Sequence, residues 1–299
     1  DVVEAGNQAI ARRLVEACEA ANARPHIVYA NSTHAESDTP YGRGKRGAAE
    51  IFAASASQYC NSILPHIFGE GAKPNYNNVT ATLIEKILNG ETPSINADGR
   101  VQLLHAGAAA QAAIDAAINA TVGDVSPVAK PISVPELLGK LQEFHALYTS
   151  NIYPDLSDEF DLELFNSYRA ATYPDSWPRP LRLNTDARGT LFEAVKGGGG
   201  GQTFMSTTEP GVTRGDHFHL NKVERFLVVQ GEAVIRVRKI LTNEVWEYSV
   251  SGDAPAPVDM PTLHTHSIEN VGSGPLLTLF WTHDLFDPQK PDTYADKVL

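Results

Sequence analysis

The feature that most constrains the fold is a change in hydrophobic periodicity near residue 180. Before it, amphipathic helical segments alternate with short apolar runs such as HIVYAN at 26–31. After it, strand-like runs such as GQTFMSTTE and LLTLFWTH are separated by turn segments such as TNE, SGD and GSG. Alternating helices and strands predict a parallel sheet covered by helices, and regularly spaced short strands predict a sandwich or small barrel.

We therefore predict two domains, an α/β domain over residues 1–178 and an all-β domain over 179–299. The helix predicted over 42–60 is expected to continue past Tyr59. The glycine run at 197–201 is predicted to be a flexible hairpin loop rather than a phosphate cradle, because no helix follows it. In the first domain we predict strands over 26–31 and 63–69, and helices over 7–23, 42–60, 78–89, 101–120 and 134–148.

Charge and hydropathy exclude several classes of partner. The formal net charge of the 299 residues is −12 and no Lys/Arg cluster occurs, which argues against a nucleic-acid partner. No apolar run is long enough for a membrane span, and the first residues do not have the pattern of a secretory signal. Cys18 and Cys60 form no metal or redox motif. A cytoplasmic protein is expected.

Three histidines and one glutamate in the second half have the spacing of a metal site. His217 and His219 project from one face of a strand because side chains alternate along it. Glu224 and His266 are expected to reach them from neighbouring strands. Three imidazoles and a carboxylate suit Zn²⁺, Fe²⁺, Mn²⁺, Ni²⁺ or Co²⁺ with positions open for a ligand, and we predict Zn²⁺. The alternative is that these are surface or core histidines without a metal.

The residues around these four side chains resemble the two motifs of the cupin family. Gly211 and Gly231 bracket the first motif, and Pro261 and Asn270 bracket the second. Leu263 departs from the family pattern, which usually has glycine there. The resemblance implies a cupin, a double-stranded β-helix or jelly roll, over residues 179–299 with one bound divalent metal. Some cupins keep the fold without the metal.

The first half carries a Tyr-x-x-x-Lys motif that resembles the extended short-chain dehydrogenases. In that family the phenol, here Tyr41, exchanges a proton with a carbonyl, while the lysine, here Lys45, lowers the phenol's pKa and contacts the nicotinamide ribose. Ser32 and Thr33 end the preceding strand, where the family keeps its hydroxyl residue, and Asn7 resembles its asparagine on the preceding helix. The alternatives are a surface tyrosine at a helix start and a Ser/Thr cap.

A glycine-rich dinucleotide-phosphate turn does not occur after a first strand in this sequence. We therefore expect the chain to begin inside a truncated Rossmann-like domain, through truncation or cleavage, and to bind a dinucleotide poorly or not at all. NADPH would be the cofactor of the full-length protein. The segment HAGAAA at 105–110 also replaces an acidic segment of extended reductases.

From about residue 4 to the C-terminus the chain resembles the CapF family of capsular polysaccharide biosynthesis enzymes. The most specific stretches are STHAESDTPYGRGK, FGEGAKPNYNNV, PGVTRGDHFHLNKVERFLVVQGEAVIR, THSIEN and FDPQKPDTY. The resemblance implies a homodimeric, bifunctional enzyme acting on a UDP-linked 4-keto-6-deoxy amino sugar. Its cupin would epimerise C3 of UDP-2-acetamido-2,6-dideoxy-4-hexulose. Its reductase domain would reduce the C4 ketone with NADPH, towards UDP-N-acetyl-6-deoxy-talosamine, an N-acetylfucosamine precursor.

The resemblance also implies a contact with the sugar nucleotide at Asn75, Tyr76 and Asn77, in a loop after the second predicted strand. A plain turn is the alternative there.

Epimerisation requires a base, and the sequence offers several. His264 is the first candidate, and the others flank predicted ligands or the last strand: Lys222, His283 and Asp284. Two other functions stay open, namely a non-catalytic sugar-nucleotide-binding or dimerisation module, and a cupin dioxygenase or isomerase with another substrate.

Overall fold

The structure, a computed structural model, describes residues 2–186 and 189–299. It divides into two compact units, one of Asp1–Gly69 and Ile95–Glu136 and the other of Glu70–Ser94 and Leu137–Leu299. These units are defined by contacts in space, and the domain boundary predicted between residues 178 and 179 stays a prediction. None of the described helices combines the length and the apolar character needed to cross a bilayer.

Six α-helices occur in the described residues, and a short 3₁₀ turn at Thr33–Glu36 precedes the second of them. The helices are α1 Val2–Ala20, α2 Pro40–Ala53, α3 Val79–Leu88, α4 Ala106–Ile118, α5 Val134–Thr149 and α6 Glu159–Ala171.

Strands of the first half are short, and those of the second half are longer and more numerous. The first ten strands are β1 His26–Ser32, β2 Gln58–Leu64, β3 His66–Phe68, β4 Arg100–His105, β5 Gly123–Val125, β6 Lys130–Ser133, β7 Ile152–Tyr153, β8 Asn184–Asp186, β9 Gly189–Leu191 and β10 Lys196–Gly197. The remaining strands are β11 Gln202–Thr208, β12 Thr213–Phe218, β13 Glu224–Gln230, β14 Glu232–Lys239, β15 Val245–Ser251, β16 Val258–Met260, β17 His264–Asn270, β18 Leu276–Thr282 and β19 Tyr294–Ala295.

The first unit is built on parallel strands, as the alternating pattern predicts. Strands β1, β2 and β5 pair in parallel, and in a second small sheet β3 pairs in parallel with β4, which pairs antiparallel with β6. Helix α2 begins with Pro40 at its first turn, and the Thr39 side chain accepts the N–H of Gly42. Ala11 of α1 and Ala48 and Phe52 of α2 form a buried cluster. The predicted α/β character is confirmed.

Two predicted helices in this unit extend too far. The helix over 42–60 ends at Ala53, because the Ser55 hydroxyl donates to the Phe52 carbonyl at 2.7 Å and accepts the Ser57 N–H at 3.3 Å, which offers the backbone an alternative to the helix. Tyr59 therefore lies in β2. The helix over 101–120 begins only at Ala106, because residues 101–105 pair in a sheet as part of β4. A short apolar run has no periodicity that separates strand from helix.

The second unit contains two antiparallel sheets. One has the strand order β11-β18-β13-β16 and the other the order β15-β14-β17-β12-β19. The rings of Phe226 in the first sheet and His266 in the second lie 5.5 Å apart, so the inner faces meet. The prediction of an all-β second half is confirmed. The hairpin predicted at the glycine run 197–201 is wrong, because β10 pairs with β7 and β11 pairs with β18.

Helices α3 and α6, and α5 from Leu137 onwards, belong to the same unit as the two sheets. A buried polar network holds α5 and β7 to the four-stranded sheet. The Arg225 Nε donates to Asp259 Oδ1 at 2.6 Å, and both side chains are 1% exposed. The hydroxyls of Tyr148 and Tyr153 donate to Asp259 Oδ2 at 2.6 and 2.5 Å. All four hydrogen-bonding groups are thus satisfied away from water.

Candidate functional site

The four predicted metal ligands lie together between the two sheets. One nitrogen or oxygen of each side chain lies within 4.8 Å of those of the others. His217 lies on β12, His219 lies one residue beyond its end, and His266 lies on the adjacent β17. Glu224 opens β13, which belongs to the facing sheet rather than to a neighbouring strand of the same sheet. His219, Glu224 and His266 are buried, and His217 is half-buried.

The backbone next to the cluster departs from regular strand geometry. The register between β12 and β17 shifts between Gly215 and His217, which makes Asp216 an extra residue with φ +57°. A Cβ at Gly215 would lie 2.7 Å from the carbonyl oxygen of His266, so only glycine fits there. Leu263 adopts φ +59°, a conformation that favours glycine, the residue usual at this position of the predicted motif. The turn expected there therefore forms without the glycine.

Two of the histidines have their tautomer fixed by backbone carbonyls. Nδ1 of His219 lies 2.5 Å from the carbonyl oxygen of Asp292, and Nδ1 of His266 lies 3.2 Å from that of His264. A carbonyl oxygen only accepts, so each Nδ1 carries a hydrogen, and Nε2 is the nitrogen of each ring that is available to a metal. These nitrogens lie 3.1 and 3.3 Å from the same oxygen, Glu224 Oε2. With both rings neutral, a divalent cation held among these atoms would satisfy the two Nε2 lone pairs and the carboxylate together.

The charge states of the cluster suit a metal ion. Burial raises the pKa of Glu224 but the contacts with His219 and His266 lower it, and the net effect places it below the usual range. Burial, helped by the neighbouring histidines, lowers the pKa of His217 to about 4. At neutral pH the site therefore offers a carboxylate and a neutral imidazole at His217, the forms that bind metal. The donor set fits a divalent cation.

A cavity of about 710 Å³ opens beside the cluster, and His217, His219 and Glu224 line it. Arg214 also lines this cavity, and its side chain makes no hydrogen bond or ion pair with the part of the chain that the structure describes. Further lining residues are apolar or polar side chains of both sheets and of the loop after β18: Phe204, Met205, Phe226, Ile268, Phe280, Phe286, Gln202, Ser206 and Thr282. Sequence reasoning missed Arg214, because the strand alternation that selects His217 and His219 assigns residue 214 to the opposite face.

The candidate bases occupy different surroundings. Lys222 and Asp284 line the cavity with the cluster. His264 does not line it; its Nδ1 lies 2.8 Å from the Thr262 carbonyl and its ring lies 5.1 Å from that of Tyr173. His283 lines a second cavity of about 670 Å³, and its Nδ1 accepts the N–H of Val223. Geometry therefore favours Lys222 and Asp284, and the assignment of His264 as base stays a prediction.

In the first unit, Tyr41 and Lys45 lie one helical turn apart at the start of α2. The Lys45 Nζ lies 5.8 Å from the centre of the Tyr41 ring and donates to the Ala30 carbonyl at 2.8 Å. Burial lowers the pKa of Lys45. The Ser32 hydroxyl accepts the N–H of His34, which makes it a cap of the turn that Thr33 begins. Ser32 thus has a structural partner, and its proposed catalytic role is untested.

Asn7 and the loop at 75–77 complete the predicted site residues. The Asn7 amide donates to the Val3 carbonyl, and its Nδ2 lies 3.3 Å from where a Cβ on Gly44 would be, so it lies beside α2. Asn75 and Asn77 adopt φ +56° and +51°, and Tyr76 between them is 71% exposed. The Asn75 side chain donates to Glu85 in the same unit. This is a structured turn with its aromatic ring turned outwards.

Comparison with known proteins covers nearly the whole chain. Residues 3–127 match the NAD dependent epimerase/dehydratase family and residues 184–294 match the polysaccharide biosynthesis C-terminal domain. The UDP-2-acetamido-2,6-beta-L-arabino-hexul-4-ose reductase of Pseudomonas aeruginosa is 31% identical over 301 residues, covering 98% of this chain and 81% of that protein. The capsular polysaccharide assembling protein CapF from Staphylococcus aureus, which has a crystal structure, is 32% identical in sequence to this chain.

The superposition on that CapF structure covers 96% of this chain and 82% of the CapF chain, with a TM-score of 0.55. Both relatives extend across the α/β and the all-β halves, so the similarity is not confined to one common domain. The chain belongs to the CapF family of capsular polysaccharide proteins.

Proposed function

We propose that this protein is a sugar-nucleotide 3-epimerase whose metal-binding cupin is joined to a short-chain reductase domain. The observation that carries the proposal is the convergence of the Nε2 atoms of His219 and His266 on one oxygen of Glu224, beside a cavity large enough for a sugar. The proposed substrate is UDP-2-acetamido-2,6-dideoxy-4-hexulose, in line with the name of the Pseudomonas relative. The domain boundary at 178/179 and a homodimer are parts of the same proposal.

Epimerisation at C3 begins with removal of a proton next to the C4 ketone. His217, His219, Glu224 and His266 would hold a divalent cation, which when bound would polarise the ketone oxygen and stabilise the negative charge that develops there. The proton must leave from one face of the sugar and return to the other. Lys222 and Asp284 line the cavity and are the groups that we assign to these transfers.

Charge in the same cavity supports a nucleotide-linked substrate. The cavity lining includes two cations, Arg214 and Lys222, and two anions, Glu224 and Asp284, of which Glu224 belongs to the proposed metal cluster. A guanidinium that pairs with none of the described residues is well suited to two oxygens of a diphosphate. The rings of Phe204 and Phe280 stack 5.0 Å apart in the lining and provide an apolar surface for a flat ring such as a nucleobase.

Reduction at C4 is assigned to Tyr41 and Lys45. Tyr41 is 43% exposed and can reach a ligand, whereas the Lys45 ammonium lies near both the Tyr41 and Tyr29 rings. Tyr41 would donate a proton to the carbonyl oxygen, and the positive charge of Lys45 would favour the phenolate that remains. NADPH, when bound, supplies the hydride. Asn75, Tyr76 and Asn77 are proposed to contact the sugar nucleotide.

Solvent deuterium exchange at C3 of the 4-keto sugar nucleotide tests the epimerase proposal. We expect exchange that requires added Zn²⁺ or another divalent cation and that stops when a chelator is added. His217→Ala should lose both the bound metal and the exchange. His145→Gln is the matched control, because His145 contacts Tyr168 and lies outside the cluster.

Three outcomes would contradict parts of the proposal. Metal-loaded protein that binds the sugar nucleotide without exchange would indicate a binding module. Oxygen uptake that depends on iron would indicate a dioxygenase. Exchange retained in His217→Ala would show that epimerisation happens elsewhere in the chain.

A further inference from the structure

Residues 291–298, which we call the strap, lie along the strand that carries the first metal ligand. Strand β19 of the strap pairs antiparallel with β12 at the edge of the five-stranded sheet, with Ala295 opposite His217. The N–H of Asp296 donates to the Asp216 carbonyl at 3.0 Å, and the N–H of Val298 donates to the Asp216 carboxylate at 3.2 Å. The strap therefore holds the bulge as well as the strand.

One strap residue, Asp292, makes three hydrogen bonds to the segment between two proposed ligands and a fourth to the ligand His219. Its carboxylate accepts the backbone N–H groups of residues 220, 221 and 222 at 2.9, 2.9 and 2.7 Å. Its carbonyl oxygen lies 2.5 Å from Nδ1 of His219. Asp292 is half-buried and adopts φ +42°, a conformation that aspartate and asparagine tolerate better than other non-glycine residues.

These contacts act on the metal-facing atom of His219 in two ways. The carbonyl fixes the hydrogen on Nδ1, which leaves the lone pair at Nε2 directed towards Glu224. The carboxylate gathers three successive N–H groups and so sets the path of the chain from His219 to Glu224. Without these acceptors, three N–H groups and the imidazole would each need water or a rearranged loop.

We propose that Asp292 is a positioning residue of the metal centre, whose carboxylate fastens the strap to the chain after His219 and so holds the Asp292 carbonyl against His219 Nδ1. The inference rests on the metal site proposed above. A strand that only completed the sheet edge would need backbone pairing alone. The strap also places a carboxylate on the segment between two proposed ligands. The test must therefore separate metal affinity from folding stability.

The experiment measures Zn²⁺ affinity by chelator competition, and the visible spectrum of the Co²⁺ form, on the whole chain. Asp292→Ala should weaken Zn²⁺ binding by about 10- to 100-fold and alter the Co²⁺ spectrum. Asp292→Asn keeps the tolerated backbone and one acceptor oxygen, so its loss should be smaller. Asp287→Asn is the matched control, because the Asp287 carboxylate accepts the N–H of Gln289 within its own turn.

The outcomes are distinguishable. Wild-type protein that binds no Zn²⁺ overturns the proposed metal site, and this inference with it. Wild-type protein that binds Zn²⁺ while Asp292→Ala binds it equally well, with only a lower melting temperature, overturns the inference alone. If Asp292→Ala does not fold, Asp292→Asn decides: a weaker affinity and a changed Co²⁺ spectrum support the positioning role, and unchanged values overturn it.

Discussion

Replacing Asp259 with a neutral residue should show how strongly the stability of the second unit depends on one buried charge. Arg225 donates to Asp259 through Nε at 2.6 Å and through Nη2 at 3.2 Å. Burial raises the pKa of Asp259 but Arg225 lowers it, and the net effect is a lowered value, so the carboxylate is charged at neutral pH. Asp259→Asn keeps the volume and removes that charge. The guanidinium then remains buried without an anion.

The expected loss follows from the burial of both partners. Removing one member of a fully buried pair costs about 3–5 kcal/mol, because the remaining charge is desolvated and uncompensated. The Tyr148 and Tyr153 hydroxyls, which donate to the same carboxylate, lose a charged acceptor and gain a weaker neutral one. For a unit of this size about 4 kcal/mol corresponds to a melting temperature lower by roughly 10 °C.

Urea and thermal unfolding followed by circular dichroism would measure the effect. Glu247→Gln is the matched control, because the Arg236–Glu247 pair leaves the Glu247 side chain 57% exposed and should change stability by less than about 1 kcal/mol. Adding Arg225→Met to Asp259→Asn removes the stranded charge and should restore part of the loss. Equal, small losses in Asp259→Asn and Glu247→Gln, or no recovery in the double variant, would refute the reasoning.

Three further predictions concern single side chains. Arg214→Ala should weaken UDP binding by about tenfold at low salt, measured by calorimetry, and leave Zn²⁺ affinity unchanged; unaltered UDP affinity would remove Arg214 from the site. Burial lowers the pKa of His264 to about 4, from an unfolded value near 6.5. The unfolded chain therefore binds more protons between these two pH values, and the free energy of unfolding of the chelator-treated protein should fall by about 3 kcal/mol as the pH falls from 6.5 to 4. His264→Phe should flatten that part of the stability profile, and an unchanged slope would contradict the assignment. Asn61 accepts from Asn31 and donates to Asp124, so Asn61→Ala should cost about 1–3 kcal/mol in urea unfolding, and a loss below 0.5 kcal/mol would show that water replaces it.

The ligand cluster could be foreseen because its chemistry is local. The two histidines share a face through alternation, and the residues around Glu224 and His266 carry recognisable spacing. The side from which Glu224 approaches could not be foreseen, since periodicity assigns faces within a strand but does not say which strands share a sheet. Its position in the facing sheet depends on the long-range pairing of β13 with β18.

Helix ends and long-range contacts account for most of what the sequence did not reveal. The helix predicted through Tyr59 ends early because serine hydroxyls bond to nearby backbone, a competition that hydrophobic periodicity does not report. Asp292 lies in the stretch FDPQKPDTY, which is typical of the family, yet its hydrogen bonds reach residues about seventy positions earlier. Such contacts have no local signature.

The bulge at Asp216 has a consequence for how relatives of this protein should be compared. Arg214 pairs opposite Ile268 and His217 opposite His266, and all four of these positions belong to the inner side of the sheet. In a regular strand, side chains on the same side have an odd number of residues between them. Arg214 and His217 have an even number between them, namely Gly215 and Asp216. A relative with one or three residues there must lack the extra residue if its arginine is still to reach the cavity. An even number of residues between the arginine and the histidine therefore goes together with the bulge. A change in one without the other would turn the arginine to the outer surface of the sheet.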